Sequence, residues 1–450
     1  MNREPSGSPW PDPAALGTLT DLYQLTMMAG YAAEGIAGRR ATFEMFVRKL
    51  PHDRSYLVMA GLEQAVEAVR TLRFSEEQVQ AIRAWPEFAG IDRSWFDALR
   101  EFRFRGDLWA IPEGAIVFAN EPLLRVEATL AEAQLIETLV LSMMGYPTLI
   151  ASKASRIVEA ARGRPVVDFG ARRGHGPQAA LLNARASYLA GFAGTSHVEA
   201  ALRLGIPAFG TMAHSWVQAF DDEPGAFAAY ARHFPDATTL LVDTYDIPQG
   251  VRNAADIEPP IRAIRIDSGD LLAETRRARE ILDERGRRDV QILVSNDLDE
   301  FKIADLVNAG APIDAFGVGT ELITSRDAPA ISMVYKLVEL GGAGRIKKAS
   351  GKKTYPLGKQ VIRSRDGQGR FAGDHVIAAT EPAEVGSLLE PILRGGELVR
   401  PWPSLQAIRD RARAEREGLP DSLRALEGSG SYPITYSDLL EAEAARLGLA

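Results

Sequence analysis

Residues 261–300 read IRAIRIDSGDLLAETRRAREILDERGRRDVQILVSNDLDE. Two short runs rich in β-branched residues, AIRI and VQILV, close on Asp267 and Asn296, and a charged stretch with helical spacing lies between them. That alternation marks a strand–helix–strand unit of a parallel sheet. Ser268 and Asp270 stand where a side chain can cap the helix, which runs on to Arg285. The same beat extends in both directions. Further short runs end at Asp168, Thr195, Thr211, Asp243 and Gly317, at intervals mainly between 16 and 32 residues. Ser196 and Glu199 have the spacing of a capping box before another helix.

The pattern predicts an α/β chain centred on an irregular, TIM-like βα barrel over residues 140–340. Residues 1–17 are Pro-rich and read as a disordered leader. An N-terminal α/β domain is expected over 18–139, with a helix from Asp21 to Tyr31 and strands in ATFEMFVRKL and near Ala115 to Ala119. A helical stretch runs from Glu132 through Ala161 into the barrel. Residues 341–450 are expected to pack back on the N-terminal domain, so that both ends of the chain build one flanking α/β domain.

Composition narrows the function. The 450 residues are 46% hydrophobic and 25% charged, as in ordinary globular proteins. A net charge of −8 disfavours a general nucleic-acid coat but leaves room for a local basic pocket. With no Cys, the chain has no disulfide, thiolate zinc site or cysteine nucleophile, which fits a cytoplasmic setting. The most apolar stretch, Leu135 to Ala151, is broken by Glu137, Gly145 and Pro147, so no membrane span is expected. Only 9 of the 52 basic residues are Lys, yet five of those fall between Lys347 and Lys359.

Each run closes on residues that are poor strand material and good chemistry: DFGARRGHG, GTMAHSW, VDTYD, RIDSGDL, VSNDLD and FGVGTE. In parallel α/β folds the C-terminal strand ends build the active site. Turn chemistry alone accounts for Gly, Asp and Ser there, but not for Arg172, Arg173, His214 and Arg265 together. Neither H-E-x-x-H, nor G-x-S-x-G, nor G-x-x-x-x-G-K-[ST] occurs, and the six His show no close metal spacing. Gly317 and Gly319 form a short G-x-G that can cradle a phosphate with backbone N–H groups. A site with several cations, such a loop, exposed Asp residues and an aromatic suits a polyanionic sugar phosphate with Mg2+.

Seven segments in order carry a family resemblance: TDLYQLTM (Thr20 to Met27), DFGARR (Asp168 to Arg173), GTSHVEA (Gly194 to Ala200), GTMAHSW (Gly210 to Trp216), IRIDSGD (Ile264 to Asp270), VSNDLDE and FGVGTELITS. Together they resemble the nicotinate phosphoribosyltransferases. The resemblance implies transfer of a phosphoribosyl group from phosphoribosyl pyrophosphate to nicotinate, releasing pyrophosphate, in NAD salvage. It implies Mg2+, ATP as co-substrate, and a homodimer with shared sites. Some family members carry a cysteine zinc knuckle near the C-terminus, which this chain lacks.

By that resemblance, Tyr23 reaches the nicotinate pocket of a neighbouring subunit, although a helix aromatic can equally serve a core or interface. Phe169 stacks on the pyridine or simply packs the sheet. Arg172, Ser196, Thr211 and Arg265 are expected around nicotinate, and Arg173, Ser295, Gly317, Gly319 and Thr354 around phosphoribosyl pyrophosphate. Ser196 takes the place of an Asp in nicotinamide-specific relatives, a carboxylate that would repel nicotinate. Asp267 is expected on the ribose or metal side. Asp243 and Asp246 fit a metal environment or ordinary turn capping. His214 corresponds to the family's phosphorylated histidine. His175 and His197 read as supporting or surface residues. The rival readings are a nicotinamide or quinolinate phosphoribosyltransferase, a barrel lyase with a Schiff-base Lys, and a non-catalytic nucleotide-binding regulator. Lys153 and Lys302 fall in helical patterns, away from the strand ends, which disfavours the lyase.

Overall fold

The computed structural model describes residues 13–51, 53–258, 260–348, 354–382, 385–427 and 430–449. Of the expected disordered leader, residues 1–12 lie outside the described residues. The remainder is ordered, because Pro13–Thr18 forms a 3-10 helix.

Six of the seven runs form one parallel sheet. Its spatial order is Gly194–Thr195, Val166–Asp168, Ala315–Val318, Gln291–Val294, Ala263–Ile266 and Thr239–Leu241. The apolar positions of these strands are almost continuously buried, as expected when helices cover a parallel sheet. The last strand in the chain lies beside the first, so the sheet winds round as a barrel does. No ladder joins its two edges among the described residues. The expected TIM-like barrel is therefore met as a wound parallel βα sheet with an open side.

The seventh run, IPAFGTM, is not a strand. It makes a single parallel bridge, Ala208 to Thr195, and then departs. Pro207 has no N–H to donate and Gly210 weakens extended pairing, so the ladder cannot propagate. Two caps also differ from expectation. His197, not Ser196, caps Val198–Leu204, its Nδ1 accepting from the Ala200 N–H at 3.1 Å. Asp270 alone caps Leu271–Glu284, while the Ser268 hydroxyl donates to Asp243.

A second sheet of seven antiparallel strands interleaves the two ends of the chain. Its order is Ala343–Gly344, Met333–Leu340, Arg40–Val47, Leu124–Thr129, Asp107–Ala110, Glu390–Arg394 and Glu397–Leu398. A smaller sheet of Lys359–Arg365, Phe371–Ala378 and Ile434–Tyr436 is anchored by Arg363, which pairs with Asp374 at 2.6 Å and Glu415 at 3.2 Å.

The 25-residue helix Glu137–Ala161 joins the two halves. Leu139, Val140 and Met144 belong to the core of the seven-stranded sheet, while Ile150, Ala154 and Ile157 belong to that of the parallel sheet. Pro147 deprives the Met143 carbonyl of its helical partner, and the Gln64 side-chain amide supplies a replacement at 3.3 Å. Among the described residues no helix is long and apolar enough to cross a membrane.

Candidate active site

Arg265 projects from Ala263–Ile266 and is held on every side. Its Nε donates to Ser295 Oγ at 3.0 Å, its Nη1 to Thr211 Oγ1 at 2.8 Å and the Met212 carbonyl at 3.4 Å, and its Nη2 pairs with Asp267 at 3.0 Å. The Ser295 hydroxyl in turn donates a hydrogen bond to Asp267 Oδ1. A guanidinium has five N–H groups, so one Nη2 hydrogen is left for a ligand. Arg265 and Asp267 share a strand face two residues apart, and Thr211 is delivered by the run that fails to become a strand.

The Phe169 ring lies 5.5 Å from the Arg265 guanidinium carbon, in cation–π range. Gly317 makes room for it: a Cβ there would come within 2.5 Å of two ring carbons. The glycine read as a phosphate cradle is thus also a seat for the aromatic ring. Beneath the ring, Asp168 is fully buried and accepts from the Thr195 hydroxyl and the Gly170 N–H. Burial pushes its carboxyl above the usual range against those hydrogen bonds, as befits a group that braces a loop.

Phe169, Arg172, Arg173, Arg265, Asp267, Ser295, Gly317 and Gly319 surround one cavity of about 190 Å3 at the C-terminal strand ends. Arg172 donates to the Phe169 carbonyl, and neither it nor Arg173 has a carboxylate partner among the described residues. Both are exposed at the cavity's mouth, where two cations without counter-ions suit an anionic ligand. Asn296 and Asp297 also line the cavity, and sequence reading did not single them out. Both are in left-handed backbone, at φ 104° and 44°. Such consecutive non-glycine strain is concentrated at functional sites. The only signal in the sequence was the Asn-Asp pair, whose short polar side chains tolerate that conformation.

His214 opens the short helix His214–Gln218, half-buried, with Nδ1 3.2 Å from Thr244 Oγ1. The neighbouring Asp243 accepts at Oδ2 from the Asp267 N–H and the Ser268 hydroxyl, while its Oδ1 is buried without a partner among the described residues. Glu223 Oε1 is likewise buried with no partner among the described residues. Burial pushes the Glu223 carboxyl up, opposed by the Asn253 hydrogen bond and reinforced by Asp246 and Asp243. Among the described residues no three His, Cys, Asp or Glu side chains are arranged to hold a metal ion. Asp246 caps Ile247–Ala255.

Ser196 lies beside the site, its N–H donating to the Asp168 carbonyl. Tyr23 and Thr354 do not line this cavity. Tyr23 is 47% exposed, on Leu22–Ala33. Thr354 lines a separate cavity of about 460 Å3 together with Arg48. There the Thr354 hydroxyl and two Arg48 nitrogens are buried without partners among the described residues. Lys153 is buried against Glu300 and Asp327, and the Lys302 ammonium donates to the Asp297 carbonyl, so neither stands ready as a Schiff-base amine.

Fold and site together define an α/β protein with an arginine-lined anion cavity at the C-terminal rim of a parallel sheet. The chain belongs to the nicotinate phosphoribosyltransferase family. Residues 18–145 match the family's N-terminal domain, 165–380 the family's principal region, and 375–442 its C-terminal domain. It is 48% identical to a nicotinate phosphoribosyltransferase of Mycobacterium tuberculosis over 95% of this chain and 93% of that one. The crystal structure of human nicotinic acid phosphoribosyltransferase superposes with a TM-score of 0.84 at 28% identity, covering 95% of this chain and 99% of that one. That of a nicotinate-nucleotide pyrophosphorylase from Pyrococcus furiosus gives 0.74 at 28% identity, covering 93% and 99%.

The contact between Gly317 and Phe169 generates a prediction. Gly317→Ala overpacks the ring and should destabilise the protein by about 1–3 kcal/mol in denaturant unfolding. In a Phe169→Ala background most of that cost should vanish. A cost that is the same in both backgrounds would show that the ring does not set the requirement for glycine.

Proposed function

We propose that this chain transfers the phosphoribosyl group of phosphoribosyl pyrophosphate to nicotinate, forming nicotinate mononucleotide and pyrophosphate. The observation that carries this reading is the Arg265 guanidinium, fixed over Phe169 with one N–H to spare, beside the unpaired Arg172 and Arg173. Phe169 presents a face to the pyridine, and Arg265 and Arg172 a positive edge to its carboxylate. Arg173 and the Gly317–Gly319 loop receive the phosphates. Ser295, assigned to the 5′-phosphate by resemblance, already donates its hydroxyl hydrogen bond to Asp267 and accepts from Arg265, so its main service is to orient those two residues.

The chemistry needs little more. The pyridine nitrogen carries its own lone pair and forms the bond to the ribose C1′ as the bond to pyrophosphate breaks, so no general base is required. Asp267 is placed to stabilise the positive ribose, and the cations stabilise the departing pyrophosphate. Buried unpaired oxygens on Asp243 and Glu223 fit a cation, since an uncompensated buried carboxylate is costly. Mg2+ held there would neutralise phosphate charge. Both Asp267 oxygens are already engaged, which makes Asp243 the better ligand of the two acidic residues considered from sequence. The Cys-free composition supports a cytoplasmic setting.

A carboxylate contact from Arg265 contributes about 1.5–3 kcal/mol, so nicotinate should exceed nicotinamide in kcat/KM by roughly ten- to 150-fold. Product assays with nicotinate, nicotinamide and quinolinate in competition test the reading, and equal use of the first two would sink it. A folded protein that makes no mononucleotide from any of them would favour the nucleotide-binding regulator.

The exposed Tyr23, and Thr354 with Arg48 in the second cavity, support a homodimer in which these residues serve the partner's site. Inactive Tyr23→Ala and inactive Arg265→Ala proteins, once mixed and exchanged, should regain activity through one intact composite site. Absence of recovery after verified exchange would place Tyr23 in its own chain's service or outside the site.

His214 is proposed to accept the γ-phosphoryl group of ATP. With Nδ1 engaged by Thr244, Nε2 can attack the γ-phosphorus as ADP leaves, and hydrolysis returns the imidazole and phosphate. His214→Ala should lose ATP stimulation yet retain ATP-independent transfer. Label from γ-labelled ATP should be acid-labile, base-stable and confined to the wild type. Label persisting in His214→Ala would move the phosphoryl acceptor elsewhere.

A further inference from the structure

Behind the anion cavity lies a buried ionic network that none of the roles above uses. Lys153, on the long helix, has a side chain only 1% exposed and pairs with Glu300 at 2.5 Å and Asp327 at 2.9 Å. Arg156, one turn on, donates to the other Glu300 oxygen at 2.9 Å and to the Leu426 carbonyl. Arg54, whose side chain is fully buried, pairs with Asp327 at 2.9 Å and donates to the Ser325 hydroxyl. Burial pushes the Asp327 carboxyl up, but Arg54 and Lys153 outweigh it and hold the group below its ordinary range.

The two acids have telling positions. Glu300 is the first residue of Glu300–Asn308, directly after the loop of Ser295, Asn296 and Asp297. Asp327 ends the segment that leaves Gly319, passes through Thr320–Ile323 and turns at Ser325, itself in left-handed backbone at φ 40°. The first lines the anion cavity through Ser295, Asn296 and Asp297, and the second meets it at Gly319 and Thr320. One ammonium therefore ties the base of one wall to the base of the other. Stability alone is a weak reason for such a network, because replacing buried ion pairs by apolar groups is often neutral or stabilising.

We propose that Lys153 is a positioning residue: its bridge from Glu300 to Asp327 sets the separation of the two loops that grip phosphoribosyl pyrophosphate. Holding strained backbone at Asn296, Asp297 and Ser325 requires surroundings that over-determine it, and this bridge supplies part of that restraint. The inference rests on reading the cavity as the phosphoribosyl pyrophosphate site.

Charge and position make opposite predictions at Asp327, whose side chain is 32% exposed and whose replacement is the milder change. Asp327→Asn removes a negative charge, so a through-space effect alone tightens pyrophosphate, whereas loss of the bridge weakens it. Calorimetric titration of inorganic pyrophosphate with Mg2+ into full-length protein separates the two. The expected result is an affinity lower by about five- to tenfold in Asp327→Asn and in Lys153→Met, with the KM for nicotinate nearly unchanged. Lys153→Arg should recover part of the loss. Should Lys153→Met fail to fold, Asp327→Asn decides alone. Equal or tighter pyrophosphate binding in Asp327→Asn, with wild type binding normally, overturns the inference only. So does a parallel loss for both substrates. A wild-type protein that takes up no pyrophosphate overturns the functional reading and this inference with it.

Discussion

A guanidinium cannot leave water unless its hydrogens find acceptors, and that constraint organises the rim of the parallel sheet around Arg265. Its side chain is only 12% exposed. Four loops must therefore converge on it. Asp267 follows on its own strand, Ser295 comes from the next strand, Thr211 and Met212 from the run across the sheet's open side, and Phe169 from beyond. Each partner is itself tied: Ser295 to Asp267, Asp267 to Asp243 through its N–H, and Phe169 onto the bare backbone of Gly317. A charge fixed this way needs no reorganisation when a ligand carboxylate arrives, which is the physical content of preorganisation.

The long helix Glu137–Ala161 plays the complementary part. One end is sealed in the core of the antiparallel sheet and the other in the core of the parallel sheet, so the two halves cannot shift independently without exposing apolar surface. Lys153 and Arg156 leave the same helix towards the loops behind the anion cavity. Scaffold and site are thus joined by one element whose apolar face supplies rigidity and whose few buried charges address the loops.

The parallel sheet was legible because its strands are continuous apolar runs between capped helices, a pattern set by burial on both faces. It failed where local chemistry overrides pattern: IPAFGTM has the right spacing, but Pro207 and Gly210 cannot sustain a ladder. The cap before Val198 was misplaced by one residue because a histidine ring nitrogen can accept like a serine hydroxyl, and statistics for caps favour serine. The convergence of Arg172, Arg173 and Arg265 was legible from strand-end position, whereas His214, grouped with them on the same ground, does not line their cavity. The left-handed backbone at Asn296 and Asp297 was not legible, since dihedral angles are fixed by tertiary contacts. Nor could sequence reveal that Thr354 would lie in a different cavity from Arg265, because a linear motif does not fix which side chains the fold brings together.

Charge is also unevenly divided along the rim of the parallel sheet. On one side stand Arg172, Arg173 and Arg265, with capacity for anions. On the other, Asp243 and Glu223 keep buried oxygens without partners, which favours a cation. Two short links connect these sides: Thr211 bonds Arg265 three residues before His214, and Thr244, against which His214 rests, adjoins Asp243. On the proposed reading, a phosphoryl group on His214 would add negative charge beside unpaired carboxylates. That arrangement would be unfavourable unless Asp243 and Glu223 held a divalent cation whose charge offset it. Phosphorylation and metal binding would then favour one another, since each relieves the charge the other leaves uncompensated. Loss of the phosphoryl group would weaken the hold on the metal and, through it, on a pyrophosphate product.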